Sequence, residues 1–178
     1  DYIINKPLRK KEVLEVVDRI LDDINLKKEK AMETEEDRNL QAYKTLSRFE
    51  RKLRNFFVKT LKKHYEENWW ETGIPKNIQG LREERREEAI LRKKKIQPLL
   101  YYTDFSHYLS IILYKNDVDN WKIVFGKYFI NIGWIKGRMI ELNEIRNDIT
   151  HPKPIAEMQY EKLKLYVNEI LEYMDRKV

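Results

Sequence analysis

The sequence predicts an all-α fold, a helical bundle of about five or six helices. Three observations carry this reading. Apolar residues recur at helical spacing in every stretch between prolines. Glycine and proline number only five each in 178 residues, so little punctuates the helices. Charged residues make up 37% and apolar residues 42%, which suits helices with one buried face and not a disordered chain.

Two regions are expected, an N-terminal helical extension over residues 1–36 and a helical bundle over 37–178. After a lead-in at Asp1–Pro7, a first helix spans Leu8 to about Ala31. Its single apolar stripe of Val13, Val16, Val17, Ile20, Leu21 and Ile24 should lie on the surface of the main body. Met32–Asp37 is an acidic connection or the acidic first turn of the next helix. The second, long helix runs over roughly Glu35–Trp70. Leu40, Tyr43, Leu46, Phe49, Leu53, Phe56, Phe57, Leu61 and Tyr65 form its buried face. Glu50 precedes Arg54 by four places, the favourable order for a helix ion pair. Trp69 and Trp70 could stack bases, but aromatics at a helix end more often plug a bundle.

A third helix, about Asn77–Lys95, carries Glu83, Glu84, Glu87 and Glu88 first and Arg92–Lys95 last, which complements its dipole. Pro98 starts a fourth, Leu99 to about Lys115, apolar almost all round and therefore central. Asp104 and His107 on it suit a metal pair by spacing, but with no third ligand in sight a structural hydrogen bond fits better. A polar turn at Asn116–Asn120 precedes a short helix at Trp121–Phe125. The last long core helix covers about Lys127–Thr150, with Ile132, Ile135, Met139, Leu142, Ile145 and Ile149 inward. Gly133 and Gly137 share one face and would let a neighbouring helix approach closely. Ile155–Lys177 is a final amphipathic helix with Met158, Leu163, Tyr166, Val167, Ile170, Leu171 and Met174. His64 sits simply at the surface.

Net charge is +6 with a pI near 9.2, which suits a polyanion such as RNA, although a generally lysine-rich composition would give the same balance. The absence of cysteine excludes disulfides, cysteine zinc sites and thiol nucleophiles. No apolar run approaches the roughly 20 residues that span a bilayer, and no signal peptide is visible. A cytoplasmic location without membrane contact is the expectation. Asp1 is not an initiator methionine, so a domain cut from a longer parent protein is expected as well. No P-loop, dinucleotide fingerprint or metal-ligand set is found, and no cofactor is expected.

Chemistry concentrates in I-E-L-N-E-I-R-N-D-I-T-H-P-K-P, Ile140–Pro154. Arg146 stays charged and presents a planar fork suited to phosphate oxygens. His151 can take and give a proton near neutrality. Together they suit phosphodiester transesterification in RNA without metal. The imidazole would serve the 2′-hydroxyl or the leaving oxygen, and the guanidinium the charge growing on phosphate. Five helical steps place the two side chains roughly 140° apart around the axis. Either the chain unwinds at Thr150–His151 or a second copy completes the site. Arg146 is also in line with Met139 and Leu142, and a charge on an apolar stripe needs a partner.

R-N-D-I-T-H resembles the Arg–(Asn/Asp/His)–x–x–x–His signature of the HEPN superfamily, compact helical domains found in many RNA-cleaving toxins and defence proteins. F-E-R-K-L-R-N-F-F is similar to the first core helix of that family. W-W…I-P and Y-T-D-F-S-H-Y-L-S-I-I resemble one of its branches. The likeness covers roughly Tyr43–Pro154. It implies Arg146 and His151 as the catalytic pair, Asn147 at the variable polar position, and Glu50 and Arg54 either facing the site in support or forming a solvated ion pair. It further implies a homodimer and metal-independent cleavage of RNA to a cyclic phosphate, in RNA processing or defence, with an antitoxin or further domains of a parent protein as partners. The alternative is a non-catalytic HEPN-type module that binds nucleotides or RNA, or that assembles complexes.

Overall fold

A single helix, α1 (Lys10–Tyr65), replaces the two expected at this end of the chain. The M-E-T-E-E-D stretch at 32–37 contains neither glycine nor proline, so nothing stops the helix there. The structure, a computed structural model, describes residues 10–115, 118–151 and 153–176. The expected lead-in at Asp1–Pro7, the start at Leu8, and Asn116, Pro152 and Lys177 lie outside the described residues, as does the side chain of Val13. A 3-10 turn at Glu66–Asn68 leads to α2 (Trp69–Gly73) and α3 (Lys76–Leu91). A 3-10 turn at Leu99–Tyr102 precedes α4 (Phe105–Ile112), and a π-helical turn, Trp121–Phe125, forms the expected short helix. The bundle closes with α5 (Ile132–Thr150) and α6 (Glu157–Met174). The architecture is all-α, with no strand among the described residues.

The two halves of α1 differ in kind. From Ala42 onward it packs along α5 and α6, burying Leu46, Phe49, Leu53, Phe56, Phe57 and Leu61. Leu40 and Tyr43 were expected inward and are exposed. They sit to one side of the buried line, on a flank that α2 covers only further along the helix. In the N-terminal half, Leu14, Val16, Val17, Ile20, Leu21 and Ile24 are 42–53% exposed. The body does not cover this stripe, contrary to expectation.

Other boundaries move for local reasons. Helix α3 stops at Leu91, so Arg92–Lys95 lie past its end, where Lys93 takes a left-handed conformation (φ 52°). The fourth helix is interrupted at Thr103–Asp104, because Arg82 and Arg85 both donate to the Tyr102 carbonyl and take it out of the helical ladder. Its second half is central as expected, with Phe105, Tyr108, Ile111 and Ile112 buried. Helix α5 starts five residues late because the Asn131 side chain caps it, accepting from the Trp134 amide at 2.8 Å. That start leaves Ile132 exposed, while Ile135, Met139, Leu142 and Ile145 are buried. Met158, in the first turn of α6, is exposed and not inward.

Trp70 is buried and meets half-buried Trp69 edge to face at 5.6 Å, the arrangement of a plug. Buried Asn120 bonds the Gly73 and Ile111 carbonyls and accepts from Tyr65 Oη, joining three segments. Among the described residues, no neighbouring helix approaches at Gly133 and Gly137. Both are exposed, and a Cβ at Gly137 would meet nothing within 4 Å.

We propose residues 1–36 as an extension to a folding unit over 37–178. Deleting residues 1–36 should leave the thermal unfolding midpoint and its cooperativity unchanged in calorimetry, since none of residues 14–29 is buried. Loss of a cooperative transition would contradict this division.

Candidate active site

Helix α5 starts at the Asn131 cap and turns Arg146 towards Glu50 on α1. Arg146 Nε lies 3.8 Å from Glu50 Oε1, and Glu50 Oε2 accepts from Arg54 Nη2 at 3.3 Å. The charge on the apolar stripe has its partner. The Glu50–Arg54 pair is no solvated ornament either, since their side chains are only 23% and 18% exposed. Arg54 is covered by the Tyr101 ring at 4.7 Å. Among the described residues, the terminal nitrogens of Arg146 make one weak bond, from Nη1 to Asn147 Oδ1 at 3.4 Å. The rest of its fork remains for an incoming anion.

His151 stands just past the end of α5 at Thr150. Thr150 Oγ1 bonds the carbonyls of Arg146 and Asn147, and the His151 amide donates to the Asn147 carbonyl. His151 itself is extended (φ −93°, ψ 122°) and exposed. Among the described residues no bond joins its imidazole to Arg146. Asn147 is exposed beside them.

The segment after His151 is held from α1 by residues that sequence reasoning missed. Asn39 Oδ1 accepts from the Ile155 amide at 2.8 Å, and its Nδ2 donates to the Lys153 carbonyl at 3.4 Å. Arg38 Nη1 donates to the Ile155 carbonyl at 3.1 Å. Gln159 completes the hold, accepting from the Ala156 amide and donating to Asp148 Oδ2. One signal was present in the sequence. Asn39 is a weak helix former inside a long helix, where an amide side chain is retained for a bond of its own.

A second polar cluster was only half legible. Arg82 is fully buried and donates to the Tyr102 carbonyl, to Asp104 Oδ2 at 3.0 Å and to His107 Nδ1 at 2.7 Å. Asp104 and His107 are thus structural, as expected, with a guanidinium between them. Burial raises the Asp104 pKa, but hydrogen bonds and charge from Arg85 and Arg82 outweigh it and hold the carboxyl below its ordinary value. Among the described residues no group of three His, Asp or Glu side chains could hold a metal ion. Tyr108 lies between the two clusters, its phenol pKa pushed up by burial against the pull of Arg54.

The all-α bundle is consistent with a HEPN superfamily domain. The family model for Swt1-like HEPN matches residues 44–175, well over half of the chain, and the protein belongs to that family. No curated protein and no solved structure gives a significant match. The family supports a nuclease- or RNA-binding-type module in general. No helix among the described residues is long and apolar enough to cross a membrane.

Two outcomes follow for the site. Asn39→Ala should leave the Ile155 amide without its acceptor, costing about 1–3 kcal/mol. Hydrogen exchange at Ile155 should accelerate, and unchanged protection there would contradict the clamp. His107 accepts from Arg82, so its folded ring is neutral. Burial first and the Arg82 charge second lower its pKa, against a smaller opposing pull from Asp104. The unfolded chain therefore takes up a proton near pH 6.5 that the folded chain refuses. Stability should be full above that pH and fall as pH drops towards the lower folded value. Urea midpoints across this range should show the fall in the wild type and a smaller fall in His107→Gln, which keeps the lowered His64.

Proposed function

We propose that the protein is a metal-independent endoribonuclease that cleaves RNA by attack of a 2′-hydroxyl on the adjacent phosphate. The observation that carries this is the Arg146 guanidinium, braced by Glu50 and otherwise little used, on the last turn before an exposed imidazole. In this reading Arg146 holds the non-bridging oxygens as charge grows on them. His151 moves the proton of the 2′-hydroxyl or of the leaving oxygen. Asn147 lies beside the phosphate. Glu50 and Arg54 position Arg146.

The dimer follows from what one copy lacks. Acid and base act on opposite sides of the phosphorus, and each chain offers a single motif histidine. Ile132, Gly133, Gly137, Ile140 and Asn147 are all exposed along α5 towards the motif. We propose that a second copy packs there in a two-fold arrangement, so that two motifs share one cleft. The basic charge suits RNA as substrate, and RNA processing or defence as setting, with an antitoxin or a parent protein as further partner. A non-catalytic assembly module is the second reading, favoured by the uncovered stripe of Leu14–Ile24.

His151→Ala should abolish RNA cleavage with the circular dichroism spectrum unchanged, because the ring is exposed. Arg146→Lys should restore little of what Arg146→Ala loses, since an ammonium lacks the planar fork. Cleavage at wild-type rate by either the His151→Ala or the Arg146→Ala chain would sink the mechanism. Gly137→Trp should remain folded, because among the described residues a Cβ there meets nothing within 4 Å, yet elute as a monomer and lose activity. An active monomer would contradict the shared cleft. Binding of RNA without cleavage would favour the second reading.

A further inference from the structure

At the other end of the bundle from the motif, α1 and α6 enclose a groove with a cavity of about 640 Å³. Phe56, Tyr128 and Met174 form its apolar floor, and Lys59, Lys63 and Arg176 line its walls. A smaller hollow continues it past Lys59 to Lys52 and Asn55. One acid, Asp175, lines both, and none of these four cations has a carboxylate within ion-pair distance among the described residues.

The excess charge extends around the rim. Lys127 Nζ lies 3.0 Å from His64 Nε2, a contact that requires a neutral ring. Burial first, then Lys127 and Lys63, lower the His64 pKa, as expected in a region of positive potential. Like charges four residues apart on one helix, as Lys59 and Lys63 are, oppose folding by a few tenths of a kcal/mol each. A compact domain that gathers them over an apolar floor gains nothing in stability by doing so, and an anionic ligand would remove the repulsion.

We propose that this groove binds the phosphate backbone of single-stranded RNA, as a docking site separate from the motif. Lys52, Lys59 and Lys63 lie on one side of a straight helix, so they present charge in a line, which fits a repeating phosphodiester better than one compact anion. Apolar and aromatic surface at the floor gives bases somewhere to rest. From Glu50, which braces Arg146, to Lys63 the helix rises roughly 20 Å. A strand would have to extend several nucleotides beyond the scissile phosphate to occupy both places. The groove therefore selects long RNA over short fragments. This adds to the nuclease reading, but the binding itself does not depend on it.

The test measures binding of a labelled single-stranded RNA of about 30 nucleotides to the full chain carrying His151→Ala, with and without Lys59→Glu plus Lys63→Glu. Cleavage of a dinucleotide is measured with His151 intact. Charge reversal should weaken binding of the long RNA at least about tenfold and reduce its log–log salt slope by about 1.4, while dinucleotide cleavage keeps its rate. Lys59→Gln plus Lys63→Gln should give a smaller loss of the same kind, and it answers the question if the reversed pair misfolds. Undiminished RNA binding overturns the groove proposal whatever the cleavage result, as does a loss confined to anionic vesicles or acidic peptides. If the wild type cuts nothing and the binding loss is still found, the groove stands and the nuclease reading falls.

Discussion

Glu50 lies between two guanidinium groups, Arg54 on its own helix and Arg146 on α5, and all three side chains are mostly shielded from water. Arg54 donates a hydrogen bond to this carboxylate at 3.3 Å, whereas Arg146 Nε, 3.8 Å away, is held to it by charge and makes no hydrogen bond among the described residues. That constraint fixes the rotation of α5 against α1. With α5 rotated otherwise, Arg146 would be buried among Met139 and Leu142 without a counter-charge, which costs more than the bundle can spare. The direction in which the proposed catalytic guanidinium points is thus set by packing.

The proposed acid–base group is held differently. His151 belongs to no helix, and its position depends on Thr150 ending α5 and on Asn39 and Arg38 gripping the backbone just beyond. Both grips start from α1, so one long helix braces Arg146 at Glu50 and anchors the His151 segment about three turns earlier. The imidazole stays exposed to incoming substrate while the backbone beneath it is tied. On the opposite flank, Arg82 joins α3 to the start of α4 and fills the interior with a cation whose partners are all polar. This is a costly arrangement, kept from failing by one backbone carbonyl, one carboxylate and one imidazole.

How much of this could be read from the residues depended on the range of the interaction. Helix content, the central fourth segment and the Arg146–His151 pair rest on local spacing, and all were legible. The need of Arg146 for a partner was legible too, because a charge on an apolar stripe is a local contradiction. Its identity was narrowed only by the likeness of F-E-R-K-L-R-N-F-F to a known core helix. Asn39, by contrast, acts across more than a hundred residues, and only its weak helix propensity marked it. Arg82 sat unnoticed in a run of charges that the helix dipole already accounted for, because what buries it is the Tyr102–Asp104 bend far along the chain. The unbroken α1 was missed for the opposite reason: an acidic stretch was taken for a joint although it holds no residue that stops a helix.

The central claim is a reaction, and its product carries the mark of its mechanism. Purified protein would be incubated with RNA in EDTA, and the ends of the fragments identified by mass spectrometry. The account predicts a 2′,3′-cyclic phosphate on one fragment and a 5′-hydroxyl on the other, with no cut beside a 2′-O-methyl nucleotide. Fragments ending in 3′-hydroxyl and 5′-phosphate, or cutting that stops when divalent ions are removed, would contradict it.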